Sequence, residues 1–572
     1  MKVRFNFSFL FIVMLFLAIA CKSAPGPSDS DPTATDSQGD SGIQVSNRLV
    51  IKADYQIRPA FETTGIIQAC ESSTGVDVTM DYATSTSVRL SNANRENFPA
   101  FWATSTAFLP NLPVQPNYTA KSYVVIGAYP EVAAKLGWDA ANLHVTDVLN
   151  GIPAGVVRLG TVNFSQADPG ATFFIAAATA MANQTMLTQE GLDSLSLSTD
   201  LFRQYFGNLE GVADSVETLK AEILADPQKY NTFVLYEASV IQLNQELVAK
   251  GLEPIHVYYL SDATFAGKFP IVFTGDASTR DAYDSFVTCL GSESSTAVLE
   301  ANGYRTNLIG MSQPDADPAV FNKDWGIDAA QTDLPLVDYP RSEVTQNALN
   351  WYQTALKPKL RAAFCFDFSG SMDRVPYGSP PDTEPGAVQR DNGQRSIFDQ
   401  DIAFDHGLSV GFDDSYTVFA FASENFKLEP GTVYGKDPAS VTAMSKTLDD
   451  SLISGDTAMF DCARDALGYL VKDPTSRYYD ATFPDYDPEN YTYAVYVLTD
   501  GDSNVGWEYS DFRSYYNSLP LDQQIKFYGV GFGNVDMTAS GPFYQFIELT
   551  GGKLIDGREN LEEKLKLLFA NQ

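Results

Sequence analysis

Leu360-Arg361-Ala362-Ala363-Phe364-Cys365-Phe366-Asp367-Phe368-Ser369-Gly370-Ser371 decides how the last third of this chain is read. The mostly apolar start is the pattern of a strand buried on both faces. It ends in Asp367, Ser369 and Ser371, three oxygen-bearing side chains at alternate positions. A second apolar strand, Tyr493-Ala494-Val495-Tyr496-Val497-Leu498-Thr499, also ends in an acid, Asp500, followed by Gly501. Between them lies Ser454-Gly455-Asp456-Thr457, a polar turn ahead of a helix expected over 458–470. Further strands are expected over 416–421, 526–532 and 553–555, and helices over 396–408, 438–453, 543–549 and 561–568. Alternating strands and helices specify an α/β sheet, whose loops converge at the carboxyl ends of the strands. The polar stretch from 373 to 395 is too poor in apolar residues for a core and reads as an insertion.

Asp367, Ser369, Ser371, Thr457 and Asp500 form an oxygen set suited to a small, hard divalent ion. Mg²⁺ prefers six oxygens and keeps waters; Mn²⁺ or Ca²⁺ accepts the same donors. Two carboxylates hold the ion, and neutral hydroxyls orient it without quenching its charge. An ion left one ligand short takes a carboxylate from another protein. Asp461 and Asp502 read as a helix-surface residue and a loop residue rather than ligands. With Asp367-x-Ser369-x-Ser371, Ser454-Gly455-Asp456-Thr457 and Leu498-Thr499-Asp500-Gly501 in this order, residues 360–572 resemble a von Willebrand factor type A domain. The resemblance implies a doubly wound, Rossmann-like sheet and a metal-ion-dependent adhesion site, or MIDAS. It implies Mg²⁺ held by those five residues and a protein partner supplying an Asp or Glu. The second loop departs from the common Gly-Gly-x-Thr form but keeps the threonine.

Residues 47–340 alternate short apolar strands with helices in the same way. Val50–Ala53, Gly75–Met80, Ser122–Gly127, Ile255–Leu260 and Phe269–Phe273 read as strands, with Pro270 near a strand start, where a missing N–H is tolerated. Ser85, Thr86 and Thr172 sit where hydroxyls and helix N-termini can donate to an oxyanion, and Thr104, Ser105 and Thr106 form a further hydroxyl loop. The opening strand, the Gly75–Ser87 strand and loop, Asp168-Pro169-Gly170-Ala171-Thr172, Tyr258–Leu260 and Asn302–Arg305 resemble type II periplasmic solute-binding proteins of the molybdate/sulfate-like group. That implies two lobes with a ligand cleft between them, and a receptor working with an ABC-type transporter. Asp54 stands near a position where such binders present a small hydroxyl; a carboxylate facing the cleft repels an anion. Residues 341–359 read as a connecting helix, with Trp351 packing between the units.

The beginning of the chain gives its destination. Lys2 and Arg4 flank an apolar stretch, Phe5–Ala20, of signal-segment length, and Leu17-Ala18-Ile19-Ala20-Cys21 resembles a bacterial lipoprotein processing site. Residues 1–20 are then the signal peptide, Cys21 the acylated anchor, and 21–46, rich in Ser, Asp, Pro and Gly, a flexible tether. Lys22 stands where enteric lipoproteins kept at the inner membrane carry an aspartate, and for a two-membrane cell that resemblance implies the outer membrane or cell surface over the inner membrane.

A formal net charge of -34 opposes nucleic acid as a partner. Three histidines, His144, His256 and His406, are scattered and read as structural, and no Ser-His-Asp or Cys-His arrangement stands out. A binding protein is therefore expected, not an enzyme. Among the cysteines after Cys21, Cys70 with Cys289 and Cys365 with Cys462 are within reach of pairing inside one unit each; a buried free thiol at Cys365 is the alternative. The leading expectation is a lipid-anchored envelope protein that grips a protein partner through a metal ion. The second is a solute receptor.

Overall fold

The computed structural model describes residues 47–570 apart from 91–96, 111–113, 208, 210, 214, 310–311, 314, 331–333, 335, 374–384, 401, 404–407, 452–453, 534 and 559–560. The signal segment, Cys21, the tether and His406 lie outside the described residues.

Three sheets organise the described residues. The first holds β1 (Arg48–Asp54), β2 (Asp77–Ala83), β3 (Ala100–Trp102), β4 (Asn117–Tyr118) and the much later β11 (Pro270–Phe273), in the order β2-β1-β3-β11-β4. β1 runs parallel to β2 and β3, and β11 is antiparallel to β3 and β4. The second holds β5 (Ser122–Ala128), β6 (Leu159–Val162), β7 (Gly211–Ala213), β8 (Thr232–Tyr236), β9 (His256–Tyr258) and β10 (Ala266–Gly267). Its order is β10-β5-β8-β6-β7, with β9 also on β5. The chain thus leaves the first sheet after β4 and returns at β11, which defines two α/β lobes.

The return passes through Phe269, a bulky residue in the left-handed region at φ 46°. That conformation is costly for a residue with a large side chain. Three hydrogen bonds hold it: its N–H donates to Thr104 O at 3.0 Å, and its carbonyl accepts from Thr119 Oγ1 at 2.8 Å and Trp102 Nε1 at 3.3 Å. A disulfide, Cys70–Cys289, ties the helix Ile66–Thr74 to the helix Arg280–Leu290 in the first lobe.

The third sheet holds β12 (Leu360–Asp367), β13 (Ser415–Phe421), β14 (Asn425–Tyr434), β15 (Thr492–Thr499), β16 (Lys526–Gly531) and β17 (Leu554–Asp556), in the order β14-β13-β12-β15-β16-β17. All pairs are parallel except β13 with β14. The period-two alternation of β12 and β15 sends Ala362, Phe364, Phe366, Tyr496 and Leu498 to one core and Ala363, Cys365, Val495 and Val497 to another on the opposite face. Helices cover both faces, so the two apolar runs are continuous because neither side meets water. The order reverses direction at β12, between β13 and β15, and the crevice at that switch point is where Asp367 and Asp500 emerge.

One expectation requires correction. A helix runs over Gly386–Phe398, mostly inside the stretch read as an insertion; within the expected 396–408, residues 396–398, 400 and 402–403 are helical, and 401 and 404–407 lie outside the described residues. It meets the core through small and polar residues, with Gly386, Gly393, Gln394 and Ser396 buried beside Ile397 and Phe398. Apolar periodicity does not register such a helix. The ten-residue β14 was not anticipated either; its exposed face and Pro430 gave it no apolar run. The helix Ser342–Trp351 packs into the second lobe's core, with Trp351 against Phe174 and Phe202 at ring-centroid distances of 6.0 and 4.7 Å.

Candidate functional site

Two polar clusters stand out. The first lies at the top of the third sheet. Asp367 ends β12 fully buried, its Oδ1 accepting from Ser369 N at 2.7 Å and its Oδ2 from Thr499 Oγ1 at 2.6 Å. Ser369 Oγ lies 2.9 Å from Ser371 Oγ, and Ser371 Oγ donates to Asp500 Oδ1 at 2.8 Å. The loop of Thr457 is brought alongside by Gly370 N donating to Gly455 O at 2.9 Å. Gly455, at φ 154°, allows this approach, since a Cβ there would sit 2.4 Å from Ser423 Oγ. Thr457 is itself fixed by Asn504, whose Oδ1 accepts from Thr457 N at 2.8 Å. Asp461, by contrast, turns away to accept from Trp507 N at 2.8 Å.

Burial pushes the Asp500 carboxyl up to about 6; the Ser371 hydrogen bond opposes this and the charge of Asp367 adds to it. Asp367 is raised too, again chiefly by burial, against hydrogen bonds from Thr499 and Ser369. Arg390 acts on both carboxyls through its charge, which opposes their rise, and pairs with neither. Its Nη1 donates to the main-chain carbonyl of Asp367 at 3.0 Å, its guanidinium lies 3.9 Å from the centroid of Phe368, and its ion pair is with Asp391. Among the described residues no three His, Cys, Asp or Glu side chains group around one point. A cation here would rest on two carboxylates and on hydroxyls. That donor set suits a hard ion, whose charge would relieve two buried acids held close together.

The second cluster lies where the two lobes meet. Asp54, at the end of β1, is fully buried and accepts from Gln56 N at 2.9 Å. Asp168, just before the helix Gly170–Met181, is equally buried. Thr104 Oγ1 lies 2.5 Å from Asp168 Oδ2 and 3.3 Å from Asp54 Oδ2, and the Tyr236 hydroxyl donates to Asp168. Ser85 Oγ accepts from Asp168 N at 2.9 Å. One hydroxyl hydrogen cannot serve both acids, so the Thr104 bridge is satisfied when one carboxyl is protonated. Burial accordingly drives Asp54 up to about 7, opposed by Ser85 and Gln56, with Asp168's charge adding to the rise. Burial also raises Asp168.

Of the cleft residues read from sequence, Ser85 and Thr172 reach this cluster. Thr86 does not: its hydroxyl donates to Ser165 O at 2.7 Å. Asp54 is fully buried and turned toward Asp168 through Thr104, not exposed to an open cleft. Sequence reading missed Asp168, Tyr236 and Tyr339. The Asp168-Pro169-Gly170 signal was legible as a helix start, but nothing local marks its carboxylate as facing Asp54.

One family model matches the chain, over the two-lobed part. The family model described as bacterial extracellular solute-binding protein matches residues 53–305, a little under half of the chain. Among curated proteins there is no match. Solved structures that resemble the chain include the sulfate-binding protein SubI from Mycobacterium tuberculosis, at 13% identity over 49% of this chain and 92% of that one, with a TM-score of 0.34. A maltose-bound MalE3 from T. maritima is similar at 12% identity over 53% and 92%, with a TM-score of 0.39. The periplasmic molybdate-binding protein of Azotobacter vinelandii is similar at 17% identity over 45% and 98%, with a TM-score of 0.29.

Proposed function

We propose that this chain is a cell-envelope receptor for a small solute, held to the membrane through an acylated Cys21 and working beside an ABC-type transporter. The observation that supports this best is the solute-binding family match, which falls on the two lobes and on the buried polar cluster between them. The reading is of a binding protein, not an enzyme. Native mass spectrometry of the full chain, purified without denaturation and incubated with an extract of its growth medium, tests it. One small molecule retained per chain is expected. A folded chain that retains none overturns the reading.

A second role is favoured by the contact of Ser371 Oγ with Asp500 Oδ1 at 2.8 Å, which joins two loops far apart in sequence. On this reading residues 360–572 are a von Willebrand factor type A domain that binds Mg²⁺, or Mn²⁺ or Ca²⁺, through Asp367, Ser369, Ser371, Thr457 and Asp500. The ion docks the receptor to a protein partner through that partner's carboxylate. Asp367→Ala removes one of only two charged ligands, so Mg²⁺ affinity should fall more than tenfold, each tenfold being about 1.4 kcal/mol. Circular dichroism should show an intact fold. Equal metal affinity in titrations of wild type and variant would refute the assigned site.

A further inference from the structure

The cluster between the lobes holds an occupant supplied by the chain itself. Asp54 ends β1, and Ser85 and Thr104 stand two residues past the ends of β2 and β3, the neighbouring parallel strands. The carboxyl ends of such strands form the crevice in which an open α/β sheet takes its ligand. What stands in this crevice is Asp168, which belongs to the second lobe, between β6 and the helix Gly170–Met181. Thr104 Oγ1 donates to its carboxyl at 2.5 Å, and its own N–H donates to Ser85 Oγ at 2.9 Å. Tyr236 donates to the same carboxyl oxygen from within the second lobe. Burial raises the Asp168 carboxyl, and the hydroxyls of Thr104, Tyr236 and Thr172 oppose that rise. They do for Asp168 what a binding site does for a bound acid.

The segment that carries Asp168 is held in a fixed shape. Asn163 Oδ1 accepts from Ser165 N at 2.8 Å and from Gln166 N at 2.9 Å, and Asn163 O accepts from Ala167 N at 3.1 Å. Gly170 lets the start of the following helix lie against β6, since a Cβ there would sit 2.2 Å from Val162 O. Two further contacts cross between the lobes: Thr86 Oγ1 donates to Ser165 O at 2.7 Å and Thr86 N to Gln166 O at 3.4 Å. Asp54, Ser85, Thr86 and Thr104 on one side and Ser165, Gln166 and Asp168 on the other are all buried. The polar walls of the two lobes cover each other.

We propose that Asp168 is an internal ligand that latches the two lobes: its carboxyl fills the crevice of the first lobe, and a solute enters only by displacing it. The latch stands on the contacts above; the displacement rests on the reading of the chain as a solute receptor. The crevice accepts an acid group because Thr104 donates to it and because one proton shared with Asp54 removes the repulsion between the two acids. Opening gives up the hydrogen bonds of a buried carboxyl. The latch therefore lowers the apparent affinity for a solute in proportion to the fraction of chains that stand open.

The full chain is compared with Asp168→Ala, Asp168→Asn and Thr104→Val by hydrogen exchange, with circular dichroism as the folding control. Asp168→Ala should quicken exchange over 84–90, in the opposite lobe, by about tenfold or more, because hydrogen bonds to a buried acid are lost. The helix Ile66–Thr74 should be unchanged. Sodium formate restores a carboxylate to the crevice and should slow exchange in this variant again, while sodium chloride at the same concentration should not. Asp168→Asn keeps an acceptor oxygen for Thr104 and Tyr236 and should stay near wild type. Thr104→Val is nearly isosteric and should quicken 84–90 severalfold from the first lobe's side. Unchanged exchange in both Asp168→Ala and Thr104→Val overturns the latch, as does a quickening that formate fails to reverse. Native mass spectrometry with the medium extract separates the latch from the receptor. Asp168→Ala should retain solute at higher occupancy than wild type. Equal or lower occupancy overturns the displacement and leaves the receptor. Opening that formate reverses, with no solute retained by either protein, overturns the receptor and leaves the latch.

Discussion

At the scale of single residues, the two sites use buried acids in opposite surroundings. Asp367 and Asp500 sit among hydroxyls at the rim of a sheet, while Asp54 and Asp168 sit between lobes and share the single hydroxyl of Thr104. The protonation of Asp54 makes this testable without any ligand. Its carboxyl titrates near 3.8 when exposed and about 7 in the fold. Between those values the folded chain holds a proton that the unfolded chain has released, so the contribution is fully present below pH 3.8 and is lost as pH rises through about 7. One such group changes stability by about 1.4 kcal/mol per pH unit across the window. Asp54→Asn keeps an acceptor for Gln56 N and removes the charge. Relative to wild type, the variant should therefore gain about 3–4 kcal/mol between pH 4 and pH 7, read from urea unfolding in EDTA. Parallel pH profiles for the two proteins would show that Asp54 does not hold the proton.

At the scale of elements, legibility in the sequence followed burial. β12 and β15 were readable because both of their faces are covered, which writes an uninterrupted apolar run with an acid at its end. The loops bearing Asp367, Ser369, Ser371 and Asp500 were readable for the same reason: each follows such a strand directly. The helix Gly386–Phe398 was not readable, because glycines and amides let it approach the sheet with little apolar surface. β14 was not readable because an edge strand in a doubly wound sheet exposes one side. The interlobe cluster was half readable. Ser85 and Thr172 advertise themselves as hydroxyls beside helix starts, whereas Asp54, Asp168, Tyr236 and Tyr339 become neighbours only when the chain crosses between the lobes. Cys365–Cys462 forms as the sequence allowed, against the alternative of a buried free thiol at Cys365. Sequence placed one cysteine on an apolar strand and one on a helix; only the packing of that helix on β12 makes them partners.

At the scale of the whole molecule, the helix Ser85–Leu90 joins the two-lobed part to the third sheet. It begins at Ser85, in the interlobe cluster, and two residues later Ser87 accepts from Lys566 Nζ, on the helix Leu561–Ala570. Lys566 is fully buried and also donates to Glu562 Oε1 at 2.6 Å. Ser87 further receives Thr84 Oγ1 at 3.0 Å, and Arg89 on the same helix donates to Gln346 Oε1 at 2.5 Å, on the helix Ser342–Trp351. The terminal helix in turn sets Leu561 and Leu565 close to Gly393, beside Leu498, two residues before Asp500. A contact 479 residues long in sequence thus fixes one end of each functional part. Ser87→Ala removes the acceptor and leaves the ammonium of Lys566 buried with one partner fewer. A loss of about 1.5–3 kcal/mol is expected, the order of one hydrogen bond to a charged group. Because the contact spans the two parts, the loss should not stay local: hydrogen exchange should quicken in 85–90 and in 561–570 together, with the interior of β12 unchanged. Faster exchange in 85–90 with an unaltered terminal helix would show that the two parts open independently. The interlobe cluster and the crevice of Asp367 and Asp500 would then have no mechanical connection through this helix.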